Sequence, residues 1–167
     1  ELPKLYDQLG EFVSRAVDQL NAAHNAAAAY PPPATMSGRA TGLDLPTAVN
    51  GFSGTATVAI VDPAGLLQRT VAIDFTAGTM SVNGAAGTAF TPATFLADLN
   101  TALGGAGTAT FTNGALTLNA TGGNGLAIDE GTSQKTGRGF SHFFGLNDLV
   151  NSTGFTNYAT GLQGTDA

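Results

Sequence analysis

Leu2, Leu5, Leu9, Phe12, Ala16, Leu20 and Ala23 follow one another at steps of three and four, the spacing that lines up one face of an α-helix. Val13 and Val17 widen this stripe, and Glu11 and Arg15 form a favourable i,i+4 pair on the polar side. Pro3 falls in the first turn, where its missing N–H costs nothing. Gly10 costs about 1 kcal/mol relative to Ala in a helix interior. Pro31-Pro32-Pro33 ends the pattern, because a residue before proline is disfavoured in the α region. The spacing therefore predicts one long helix from Leu2 to about Ala29. Its apolar stripe needs a partner, either its own domain or a helix from missing sequence or another subunit.

The pattern then changes period. Residues 31–50 are rich in Pro, Gly, Thr and Ala and read as an extended linker, with Leu43, Leu45 and Val49 as anchors. From Thr55 to Val61 apolar and polar residues alternate, as in a half-buried strand. Asp62-Pro63-Ala64-Gly65 is a turn. Val71, Ile73 and Phe75 mark the inward side of a second strand, and Thr79 to Val82 forms a third, stopped by Asn83-Gly84. Thr91-Pro92 has the chemistry of a helix start, with Phe95, Leu99 and Leu103 on one face and Gly104 at the end. Asn113-Gly114 predicts a tight hairpin between strands 108–112 and 115–120, and Leu126 to Ile128 a last short strand. The expected fold is α+β: a long N-terminal helix plus one mostly antiparallel β-sheet with a single covering helix.

Phe140, Phe143 and Phe144, three of the chain's ten phenylalanines, then fall within five positions, together with Leu146, Leu149 and Val150. So much aromatic surface must be buried or serve as a contact. Buried packing is the expected fate, because only Arg138 supplies a flanking charge for a stacking platform. The phenylalanines are expected to dock on the unpartnered helix seam of Leu5, Leu9 and Phe12.

Composition narrows the function classes. Only 11% of the 167 residues are charged, against a usual share of about 25%, and Ala, Gly and Thr take their place. Such a surface suits packing against copies of itself, and also suits a secreted adhesin. The net charge of −6, with scattered Lys and Arg, argues against nucleic-acid binding. There is no apolar run of membrane-spanning length, no signal-peptide pattern and no Cys. The chain opens on Glu1 and is expected to be an excised fragment.

No reactive constellation emerges. His24 and His142 have no second ligand at metal spacing. Ser141, His142 and Asp148 form a triad only on paper, since adjacent Ser and His rarely meet with the required geometry. Asp129-Glu130 reads as a solvated turn rather than a glycosidase acid pair. The Gly clusters match no nucleotide-binding loop. Asn119-Ala120-Thr121 and Asn151-Ser152-Thr153 fit the glycosylation pattern at chance level. No enzyme activity, cofactor or metal is expected.

Phe143-Phe144-Gly145-Leu146-Asn147-Asp148, set in Phe-Ser-His-Phe-Phe-Gly-Leu-Asn-Asp-Leu-Val, resembles the corresponding segment of the flagellar hook-associated protein 1 family. Leu2-Pro3-Lys4-Leu5-Tyr6-Asp7-Gln8-Leu9, continuing through Asn21-Ala22-Ala23-His24, resembles that family's long central helix. Residues 91–100 and 116–120 resemble the IN motif of flagellar axial proteins. The resemblance implies a structural subunit at the hook–filament junction, exported without a cleaved signal peptide to an extracellular position on the bacterial flagellum. Its implied partners are other copies of itself, the hook protein and the second junction protein, with neither nucleic acid nor membrane. It divides the chain into a core-domain helix (1–30), a linker (31–50), a β-rich outer domain (51–130) and a return segment with a Phe-rich docking element (131–167). The candidate packing and interface residues are Leu5, Leu9, Phe12, Leu20, Phe140, Phe143, Phe144, Leu146 and Leu149. The alternative expectation is a secreted carbohydrate-binding or adhesin-type β module, suggested by the Thr-, Asn- and Gly-rich turns.

Overall fold

The computed structural model describes residues 2–150. The rest of the expected return segment, 151–167, with the glycosylation pattern at Asn151, lies outside the described residues. The chain has the α+β class its periodicities imply. The long helix, α1, runs Leu2–Asn25. It stops short of the prolines although Ala26 to Ala29 are good helix formers, for a reason found in the joint described below.

The strands divide into two antiparallel sheets where the sequence pattern suggested one. The larger sheet has β2 (Thr55–Val61), β3 (Leu67–Asp74), β4 (Thr79–Val82), β5 (Thr88–Ala89) and β8 (Gly125–Asp129), in the order β5-β4-β3-β2-β8. The smaller has β1 (Thr35–Ser37), β6 (Gly107–Thr112) and β7 (Ala115–Ala120), in the order β1-β7-β6. The presumed linker thus supplies a strand, with Met36 opposite Leu118. It also supplies a short helix, α2 (Leu45–Val49), which begins at Asp44. Asn113 and Gly114 both take positive φ, as a two-residue hairpin of this twist demands.

The period-two expectation holds on β2, where Ala56, Val58 and Ile60 are buried. Helix α3 (Phe95–Leu103) joins the two sheets. It starts three residues later than Thr91-Pro92 suggested, because Thr91 and Thr94 first bond to one another in a turn. Phe95, Leu99 and Leu103 fill the core. On the other side Asn100 donates to the Ala109 carbonyl and accepts from the Ala109 N–H, both at 2.8 Å, and so closes the edge of β6.

The last element is α4 (Phe140–Phe144). Its phenylalanines do not lie on the seam of α1. Phe140 and Phe144 are fully buried in the β core. With Phe52, Phe75, Phe90, Phe95 and the half-buried Phe143 they form one continuous set of ring contacts, including Phe52–Phe75 at 4.8 Å and Phe143–Phe144 at 5.1 Å. Edge-to-face and offset pairs of this kind contribute beyond simple burial. The core between the sheets was the larger apolar sink, and the rings followed it. Lys135 covers the open side, with Nζ 5.0 Å from the Phe143 centroid, and donates to the Thr47 and Ala48 carbonyls at the end of α2. Burial pushes this ammonium below its ordinary value.

Candidate functional site

Where α1 meets α4, the contact is polar. Two hydrogen bonds start α4 from outside, since Gly139 carries no capping side chain. The Ser133 hydroxyl accepts from the Phe140 N–H at 3.0 Å and the Glu130 carboxylate accepts from the His142 N–H at 2.6 Å. Glu130, expected as a solvated turn residue, therefore satisfies donors that the helix leaves orphaned. Gly145, at φ 68°, ends α4, and the Leu146 N–H reaches back to the Ser141 carbonyl at 3.0 Å. This is the left-handed helix stop that favours glycine. It buries Leu146 and turns Asn147 and Asp148 onto the end of α1.

Asn25 is the centre of the joint. Its side chain is 1% exposed. Its amide nitrogen donates to Asp148 and to the Asn21 carbonyl, both at 2.8 Å. Its oxygen accepts from the Ser141 hydroxyl at 2.6 Å and from the Asn147 N–H at 3.0 Å. Two donor hydrogens and two acceptor positions are thus all used. Asn147 in turn donates to the His24 and Ala27 carbonyls, each at 3.0 Å. His24 lies in the last turn of α1 and Ala27 two residues beyond its end, so Asn147 captures carbonyls on both sides of the point where the helix stops, ahead of the prolines.

Ion pairs flank this centre. Asp148 is held by Arg39 at 2.6 Å, and Arg39 also donates to the His142 carbonyl. Asp18 of α1 receives Arg138 at 2.8 Å and the His142 ring at 3.1 Å. Because its partner is a carboxylate, His142 carries its hydrogen on Nε2; His24, bonded to the Asn147 carbonyl at 2.6 Å, carries its own on Nδ1. Asn21 exchanges two hydrogen bonds with the backbone of Val150. No buried side-chain polar atom among the described residues lacks a partner. The Ser141 hydroxyl is engaged by Asn25 and the His142 ring by Asp18, so Ser141, His142 and Asp148 are three separate fastenings and not a nucleophilic relay. Among the described residues no group of His, Cys, Asp or Glu is gathered to hold a metal, and no helix is long and apolar enough to cross a membrane.

The apolar stripe of α1 lies on the other side. Asp18, Asn21 and Asn25 face the joint. At about 3.6 residues per turn, Leu5, Leu9, Phe12 and Leu20 fall on roughly the opposite face. They are 60%, 50%, 69% and 52% exposed. The helix is thus fastened by its polar face and shows its apolar face outward. Of the nine expected packing residues, Phe140, Phe144 and Leu146 are buried and Phe143 is half-buried. The four on α1, with Leu149, are exposed. The residues that hold the two parts together, Asn21, Asn25, Ser141 and Asn147, were not expected in that role. One signal was present: Asn21 and Asn25 share a helical face at i,i+4, away from the leucines.

Compared with known protein families, curated proteins and solved structures, the chain has no match in any of the three.

Proposed function

We propose that the chain is part of a structural axial subunit of the bacterial flagellum, acting extracellularly at the junction between hook and filament. The observation that carries this reading is the inverted seating of α1. A helix whose polar face is tied down by a satisfied network and whose leucines and Phe12 face outward is arranged to bury those residues elsewhere. A mechanical joint is the task suited to it. The rigid network fixes the direction of α1 relative to the β part, and the free stripe supplies the packing surface.

A second support is that two of the stretches carrying the flagellar resemblance touch. His24, four positions before Ala28 in the helical stretch, bonds Asn147 of the Phe-Phe-Gly-Leu-Asn-Asp segment. On this reading the partners are neighbouring copies, the hook protein and the second junction protein, and the subunit leaves the cell without a cleaved signal peptide. The role is mechanical and uses no cofactor. Deleting the full-length gene tests it: cells should make hooks and shed their filaments, whereas intact, firmly attached filaments would overturn it.

A further inference from the structure

The outward stripe of α1 has an internal symmetry. Counted from a point between Phe12 and Val13, Leu5 and Leu20 are equidistant, and so are Leu9 and Ala16. A helix laid antiparallel on a second copy of itself therefore sets Leu5 against Leu20, Leu9 against the smaller Ala16, and Phe12 beside Val13. Large residues meet small ones near the middle and leucine meets leucine at both ends, which is the complementarity that close helix packing requires. A contact of this kind is isologous: the same patch serves both partners and closes after two.

We infer that the α1 stripe pairs with the α1 stripe of a second copy of this chain, as an antiparallel two-fold dimer. Charge does not oppose it. Glu11 and Arg15 pair with each other at the exposed side of the helix, and Gln8 and Gln19 flank the seam. Size sets the strength. Five exposed large side chains, Tyr6 included, offer roughly 500 Å² from each partner, or about 1,000 Å² in all, the lower end of specific interfaces. An interface of this size belongs to weak, reversible association, with monomer and dimer in exchange. This inference goes beyond the junction reading, since it concerns the isolated chain and not its place in an assembly.

The chain has no cysteine, so orientation is directly measurable. Single variants Leu5→Cys and Leu20→Cys are oxidised alone and as a mixture. Antiparallel pairing brings position 5 of one copy within disulfide reach of position 20 of the other. It holds the two copies of position 5 about 22 Å apart. The mixture should cross-link and neither variant alone should. Sedimentation of the unmodified chain over a concentration series should show monomer passing to dimer, with Phe12→Ser weakening the association at least tenfold. Leu66→Ser, at an exposed leucine in the β2–β3 turn, should leave it unchanged. Self-cross-linking at position 5, a monomer at all concentrations, or a dimer indifferent to Phe12→Ser would each overturn the inference. A monomer would also result if residues 151–167 of the same chain cover the stripe. None of these outcomes bears on whether filaments detach when the full-length gene is deleted.

Discussion

Asn25 and Ser141 are separated by 116 positions in the chain and meet in a hydrogen bond of 2.6 Å, buried from water on both sides. Replacing Asn25 by Ala leaves the Ser141 hydroxyl and the Asn147 N–H without their acceptor and removes a donor from Asp148. An orphaned buried polar group costs about 1–3 kcal/mol. With Arg39 still holding Asp148, Asn25→Ala should destabilise the fold by about 2–4 kcal/mol. Chemical denaturation of the two proteins measures this, and a loss below about 0.5 kcal/mol would remove Asn25 from the centre of the joint.

Phe144 and Phe12 separate the two fates of aromatic surface in this chain. Phe144 is fully buried among Phe52, Phe140 and Phe143, so Phe144→Ala should cost about 3–5 kcal/mol. Phe12→Ala, measured on the dilute monomer, should change stability by no more than about 0.5 kcal/mol. The double variant should show additive losses, because the two residues do not touch. A coupling above about 1 kcal/mol would mean that the phenylalanines rest on the seam after all.

Gly145 stands at φ 68°, and a Cβ there would sit 2.6 Å from an Asp148 carboxylate oxygen and 2.8 Å from Cγ of Arg39. Gly145→Ala should therefore lose about 1–2 kcal/mol from backbone conformation alone. It should lose more as the Arg39–Asp148 pair is displaced. Thermal unfolding compared with Gly137→Ala separates the two terms, since Gly137 also has positive φ but open space around it. Equal losses at the two sites would argue against a role for Gly145 in seating that pair.

Asp44 begins α2, and its carboxyl is held below its ordinary value of 3.8 by the Thr47 side chain and then by the Thr47 N–H. A lowered folded pKa means that the unfolded chain binds more protons in that window. The stabilisation is present above pH 3.8 and is lost as pH falls through the folded value. Unfolding midpoints of the unmodified chain and of Asp44→Ala should differ at neutral pH and converge below pH 3.8. A gap that persists undiminished in acid would assign the effect to something other than this cap.

Much of the fold is written locally. The α1 stripe, the alternation on β2 and β3, and the Asn113-Gly114 hairpin depend on neighbours a few positions away, and each is where the pattern puts it. What distance decides is harder to read. β1 is a strand of three residues close behind a proline run, and its pairing with β7, 80 or more positions on, is what makes it a strand. The joint is least legible. A single Asn or Ser has no period, and the value of Asn25 depends on Gly145 turning Asn147 and Asp148 onto it. The expectation that phenylalanines would seek the nearest apolar stripe failed because a β core already stood open to them.

α1 is held by its polar face and shows its apolar face outward, and the proposed junction role requires that outward face for assembly. The junction proposal is tested by placing Leu9→Ser and Phe12→Ser together in the full-length gene and counting filaments attached to hooks. If the proposed role holds, the variant subunit keeps its thermal stability and export while the cells lose their filaments. Normal filament counts with these two residues replaced would contradict it.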